Sequence, residues 1–191
     1  MPYQKNLFSA FPFIQTERLS LRQITADDSE DLYNFYRDPN FFQYLDWEGP
    51  SSVKESTLLI DSWNQYFEGK KLIPWGISSL KDSRLIGTIM LMPTRGTFED
   101  VPRYPLTISY DLQKDLWNNG IMTEALKAVL DFSKENIGHH RIQAEVLSEN
   151  AASLKILKKL GFQEEGLLKH YLMHEVTKSF LNVVMLASVT I

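Results

Sequence analysis

The chain has 191 residues, with 20 Lys plus Arg against 24 Asp plus Glu, a formal net charge of −4 and no cysteine. Hydrophobic residues make up 43% and charged residues 23%, as in a soluble globular protein. This composition excludes a disordered chain, and the negative charge disfavours a general nucleic-acid or anionic-membrane partner. Without cysteine there is no disulfide, thiolate metal site or Cys nucleophile, and no apolar run reaches the roughly 20 residues of a membrane helix.

Residues 1–15 are aromatic and proline-bearing and read as an arm over a single domain of residues 16–191. The opening MPYQKNLFSAFPF has one Lys, two prolines and no continuous apolar core. It does not read as a secretion signal, and a cytoplasmic protein is expected. Glu17–Ile24 alternates polar and apolar residues, the period of a half-buried strand. Thr25 is a candidate N-cap for a helix through Leu32, Phe35 and Tyr36, stopped by Asp38-Pro39. Residues 40–50 form an aromatic loop. Pro50-Ser51-Ser52 opens a second helix that runs to Gly69. Leu72–Leu80 and Leu85–Met92 read as a hairpin joined by residues 81–84. The loop Pro93–Pro102 leads to a strand over Leu106–Leu112.

The period then becomes helical over residues 120–136. A strand over Arg141–Leu147 follows, then a short helix from about Asn150 to Leu160, stopped by Gly161. Phe162–Leu168 and Leu181–Val189 are the last strands. The order is β-α-α-β-β-β-α-β-α-β-β, an α/β (α+β) chain with a mixed sheet and helices packed on it. His139, His140, His170 and His174 show no ligand spacing, and no metal is expected.

Residues 112–124 end a strand, pass through Asn118-Asn119-Gly120 and begin a long helix. Unpaired backbone N–H groups and the helix dipole make such an entry an anion site suited to a diphosphate. Taken alone, the loop is better read as an ordinary helix entry, because one Gly in a loop is weak evidence. Thirty residues on, Asn150 caps a short helix with Ser153 in its first turn, followed by Leu-Gly161-Phe162 and Glu165-Gly166.

This combination resembles the GCN5-related N-acetyltransferase (GNAT) superfamily, in its ribosomal-protein N-terminal acetyltransferase-like (RimJ/RimL) branch. The residues that carry the resemblance are LWNNGIMTEALKAVLDFSKENIGHHRIQAEVLSENAASLKILKKLGFQEEGLLKHYL within a core of about residues 106–172. They are joined by FIQTERLSLRQITADDSEDLYNFYRDP and YLDW near the start. The resemblance implies the GNAT fold: a mostly antiparallel sheet of about seven strands, splayed in the middle and flanked by about four helices. It also implies acetyl-CoA as co-substrate, held in the gap between the splayed strands, with no metal.

In that family Leu112 and Gln113 would lend backbone groups to the pantetheine arm. Asn118, Asn119, Gly120, Ile121 and Met122 would hold the diphosphate, and Asn150 and Ser153 would lie along the arm. The family signature Gln/Arg-x-x-Gly-x-Gly/Ala falls on Asp115, Asn118 and Gly120, followed by Met122. Asp115 puts a carboxylate near phosphate, and Asn118 replaces a glycine but tolerates a left-handed turn. Glu124 is read as structural.

The implied reaction is attack of a neutral primary amine on the thioester through a tetrahedral intermediate, with a backbone N–H facing the oxyanion. An α-amine, with a pKa of about 8, needs less help from a base than a lysine at about 10.4. Glu145 is the candidate base, against the alternative of a solvent-facing strand residue. The family's tyrosine acid is replaced by Leu157; Tyr171 is the substitute carried forward, with Ser148 and His170 as others. Asn182 and Leu186 stand where the branch has Asp and Tyr.

The acceptor is a peptide N-terminus or a small-molecule amine. Aromatic residues Phe41, Phe42, Tyr44, Trp47, Trp63 and Trp75 are candidate walls, with Trp63 better read as core. Asp46, Glu48, Glu99 and Asp100 are either acceptor-attracting or ordinary surface charges. A monomer or homodimer is expected. The alternatives are a GNAT-fold binding protein without turnover and an acyltransferase for longer acyl-CoA.

Overall fold

We describe residues 7–38 and 47–190 of a computed structural model of the chain. Pro39, Phe41, Phe42, Tyr44 and Asp46 lie outside the described residues.

A two-residue strand β1 (Ile14–Gln15) pairs with β2 (Leu19–Gln23), so part of the segment read as an arm adds a short eighth strand to the sheet. The rest of the described arm packs by its rings. Phe8 and Phe11 sit 5.1 and 4.9 Å from Phe67, and Pro12 O accepts a 2.6 Å hydrogen bond from Trp75 Nε1. That bond satisfies the one polar atom of a fully buried indole.

After β2 the chain makes a 3-10 turn over Ala26–Asp28 before α1 (Ser29–Tyr36). Asp28 Oδ2 accepts from Thr25 N at 2.9 Å, which stabilises the turn that Thr25 opens. α2 (Val53–Glu68) is capped by Ser52, whose hydroxyl accepts from Glu55 N. β3 (Ile73–Ser79) and β4 (Asp82–Pro93) form a tighter hairpin than expected. A bulge after Ile77 lets polar Asp82–Arg84 join the ladder, and backbone pairing needs no apolar alternation there.

β5 (Leu106–Leu112), α3 (Ile121–Asn136), β6 (Arg141–Leu147) and α4 (Ala151–Lys159) fall where the pattern places them. β7 (Gln163–Met173) runs five residues past its expected end, and β8 (Phe180–Val189) closes the chain. The extension carries a register break between Leu168 and Leu172 with His170 at φ 51°, which erases the alternation a strand reading needs.

The sheet order is β1-β2-β3-β4-β5-β6-β8-β7. Every pair is antiparallel except β5–β6. Four α-helices flank it among the described residues. One core cluster joins the sheet to α3 and α4 through Met122, Leu126, Val129 and Leu157. A second holds Leu32, Phe35, Tyr36 and Ile60 of α1 and α2 against Leu85 and Ile24.

Candidate active site

The site begins where two neighbouring strands stop bonding. β5 and β6 pair in parallel only at Leu106–Ile142 and Thr107–Gln143. Beyond that point β5 bonds to β4 and β6 to β8. The parting opens a cavity of about 670 Å³ lined by Thr107–Leu112, Ala144–Leu147, the loop before α3 and the first turns of α4.

Strand alternation sorts its walls. Ile108, Leu112, Ala144 and Val146 are buried in the core under α3 and α4. Tyr110 shares their face, and its hydroxyl meets Ser153 Oγ at 2.6 Å; burial pushes its pKa up to about 12. Thr107, Ser109 and Asp111 of β5, with Gln143, Glu145 and Leu147 of β6, point the other way. On that side Tyr36 of α1 donates to Asp111 Oδ2 at 3.0 Å, and Trp47 packs edge-on to Tyr36 at 5.2 Å and lines the cavity.

The loop before α3 is a backbone device. A 3-10 turn over Lys114–Leu116 is followed by Asn118 at φ 62° and by Gly120 at φ 74° as N-cap. The asparagine thus takes the left-handed turn that the sequence comparison asks of it. These turns lead into the first turn of α3 at the cavity, where Asn118, Gly120, Ile121 and Met122 are lining residues. Arg18 holds the loop from β2's side. Its Nη1 donates to Asn119 O at 3.1 Å, and its Nε pairs with Glu124 at 2.6 Å. Glu124 also accepts from Thr16 Oγ1 and from Arg18 N. Burial favours its neutral form, but these donors outweigh it and hold the carboxyl below its usual range.

Several expected positions are placed differently. Leu112 lines the cavity, yet its carbonyl accepts a 2.7 Å bond from Trp117 Nε1. Gln113 N donates to Ile86 O at 2.9 Å, so these two backbone groups are engaged within the protein. Gln113 and Asn119 fall outside the lining. Asn150 and Ser153 are both in it, and Asn150 Oδ1 caps α4 by accepting from Ser153 N at 3.0 Å.

Glu145 is exposed on the β6 wall of the cavity and accepts a 3.2 Å bond from Tyr171 Oη. The Glu145 charge raises the Tyr171 phenol above its ordinary value, so Tyr171 stays a proton-bearing donor to Glu145. Leu157 is fully buried in the core. His170 stacks on Phe180 at 5.8 Å, and Ser148 donates to Glu149; neither lines the cavity.

Of the aromatic wall candidates, Trp47 lines the cavity, Trp75 is fully buried core and Trp63 packs against the α1–α2 cluster. Glu99 pairs with Lys70, and Asp100 accepts from Thr97 N; both are structural rather than acceptor-facing. Lys155 and Lys159, one turn apart on α4, line the cavity. Sequence reasoning missed Tyr36, Asp111 and Trp117. The alternation in Leu106-Thr-Ile-Ser-Tyr-Asp-Leu112 marks Asp111 as a polar-face residue, whereas nothing local in sequence connects it to Tyr36. Among the described residues no helix is long and apolar enough to cross a membrane, and no group of three or more His, Asp or Glu side chains is placed to hold a metal.

The sheet is mixed and parted at its centre, with a helix entry beside the parting. A family model described as an acetyltransferase (GNAT) domain matches residues 18–163, and the chain belongs to this family of N-acetyltransferases.

It is 31% identical over 173 residues to the uncharacterized N-acetyltransferase YoaA of Bacillus subtilis (strain 168), covering 91% of this chain and 95% of that one. It is 25% identical over 168 residues to the ribosomal protein uS5-alanine N-acetyltransferase of Escherichia coli (strain K12), covering 84% and 82%. RimJ of Mycobacterium smegmatis, solved in complex with CoA-disulfide, shares the fold with a TM-score of 0.76. The sequences are 23% identical, and the match covers 90% of this chain and 82% of RimJ.

Proposed function

We propose that this N-acetyltransferase moves the acetyl group of acetyl-CoA to a primary amine, either a protein N-terminal α-amine or a small-molecule amine. The observation that carries the reading is the β5–β6 parting, because one cavity holds both the α3 entry loop and Glu145. The chain's residues fit the co-substrate. The left-handed residues Asn118 and Gly120 lead into a helix N-terminus, whose unpaired amides suit a diphosphate, and Lys155 and Lys159 add positive charge in the same cavity. CoA bound to the similarly folded RimJ supports the same choice.

Acetyl-CoA supplies an electrophilic thioester carbonyl. On the face opposite Tyr110 and α4, Glu145 accepts the proton that the attacking amine must lose, while the Tyr171 hydrogen bond keeps the carboxylate in place. The amine nitrogen bonds to the carbonyl carbon, the carbon–sulfur bond breaks, and the proton passes to the departing thiolate or to water. The reading implies a cytoplasmic enzyme.

Calorimetric titration with acetyl-CoA and with CoA tests it. Saturable binding with Kd in the range of about 1 µM to 1 mM is expected. Asp115→Asn, which removes a carboxylate beside the diphosphate loop, should tighten it. Failure to bind at millimolar concentration would overturn the acetyl-CoA assignment and favour a GNAT-fold binding protein.

A further inference from the structure

Among the described residues, the charged side chains that line the cavity are Asp111, Glu145, Lys155 and Lys159. The two lysines lie on α4. The two carboxylates lie on the parted strands and on the opposite face, where α1 rather than α4 makes the contact. A co-substrate lying in the parting with its diphosphate at the α3 loop leaves the Asp111–Glu145 side for the acceptor, since the α3–α4 face of β5 and β6 is packed core.

Asp111 is held there by construction. Tyr36 is buried at 4% exposure, and its hydroxyl donates to Asp111 Oδ2 at 3.0 Å. Burial, and then the Asp111 charge itself, push the phenol well above its ordinary range, so it remains a donor. A donor fixed in the core orients the carboxylate before any ligand arrives, which lowers the cost of ordering it on binding. Trp47, packed on Tyr36 and lining the same cavity, adds an aromatic face suited to a cationic chain.

Two carboxylates serving one amine would hold it as unreactive ammonium, because opposite charge favours the charged form. A division of roles avoids this. Asp111 on β5 and Glu145 on β6 both lie past the last paired residues, so the two carboxylates line the cavity from strands that have parted. That separation suits a second positive group held apart from the reacting one by a short chain.

Resting on the acetyltransferase reading above, we propose that Asp111, positioned by Tyr36, is a specificity carboxylate that receives a second ammonium group of the acceptor. The preferred acceptors are then small amines carrying two positive charges.

The test compares 1,5-diaminopentane with pentylamine, which matches it in length but carries one charge. With acetyl-CoA in steady state, wild type should favour the diamine in kcat/KM by about tenfold or more, mainly through KM, the size of one charge-assisted contact. Asp111→Asn, of the same shape, should bring the ratio to within about twofold, and Asp111→Glu should restore part of it. Tyr36→Phe keeps the carboxylate and the ring but releases the lock, and it should lower the ratio partway. Thermal unfolding of each variant verifies the fold.

Calorimetric titration of the same two amines into protein premixed with CoA gives the preference without turnover. A failure of acetyl transfer therefore stays distinguishable from a failure of Asp111. Equal use and equal binding of the two amines by wild type, or a preference that survives Asp111→Asn, overturns the assignment.

Discussion

At the scale of single residues, Glu145 and Tyr171 meet across 26 positions of sequence. Glu145 lies on β6 at the parting, and Tyr171 lies within the register break of β7 between Leu168 and Leu172. Neither position is marked by local pattern. Glu145 alternates like any exposed strand residue, and Tyr171 belongs to a stretch where alternation has failed. Their contact gives each a consequence: the carboxylate has a fixed donor, and the phenol titrates above its ordinary value. Glu145→Gln keeps the shape and the contact but cannot take a proton. It should lower kcat by about 10² to 10⁴-fold while acetyl-CoA still binds, as read by steady-state rates beside calorimetry. An undiminished kcat would return Glu145 to the role of a solvent-facing strand residue.

At the scale of elements, the position of β5 beside the parting is set in part by how closely β4 approaches it. Gly87 pairs with Leu112, and a Cβ built there would stand 2.5 Å from Asp111 O and 3.2 Å from Leu112 Cα. Both are backbone atoms that no rotamer change can move aside. Gly87→Ala should therefore displace the end of β5 and with it the carbonyl that Trp117 caps and the loop that follows. Overpacking of this kind costs about 1–3 kcal/mol. The expected result is a lower denaturant midpoint together with weaker acetyl-CoA binding. Stability and affinity both equal to wild type would mean that the two strands have slack where the geometry shows none.

At the scale of the whole molecule, α1 and the start of the sheet are tied by a partly buried ion pair. Arg22 forms two bonds to Asp28, at 2.8 and 2.7 Å, and a third to Ser83 O at the start of β4. Burial favours the neutral carboxyl. The Arg22 bonds and the Thr25 N–H outweigh it and hold Asp28 below the ordinary carboxylate value. A depressed folded-state pKa contributes stability that is fully present above the unfolded value of about 3.9 and is lost as pH falls through the folded value. Asp28→Asn should cost about 3 kcal/mol near neutral pH, the lower end for breaking such a pair. Its deficit against wild type should narrow as pH drops below about 4. Thermal unfolding from pH 7 to pH 3 measures both, and a gap independent of pH would show that the charge of Asp28 contributes nothing.

What was legible in the sequence was whatever repeats locally. The periods of 2 and 3.6 place β5, α3, β6 and α4, and the short-range caps at Ser52 and Asn150 start their helices as read. The left-handed turn at Asn118 and the Asn-Asn-Gly entry to α3 also follow from residues within a few positions of one another. The acetyltransferase resemblance rests on these same local motifs, and the family match covers them.

Other features are decided only by tertiary structure, because they join residues far apart in the chain. Trp75 becomes core once Pro12 satisfies its indole. Leu112 and Gln113 spend backbone groups on Trp117 and Ile86. Asp111 acquires its fixed orientation from Tyr36, 75 residues away. Hydrophobic period encodes which face of an element is buried. Which polar group meets which across the parted strands depends on the registers and packing of the assembled sheet, and no local pattern carries that information.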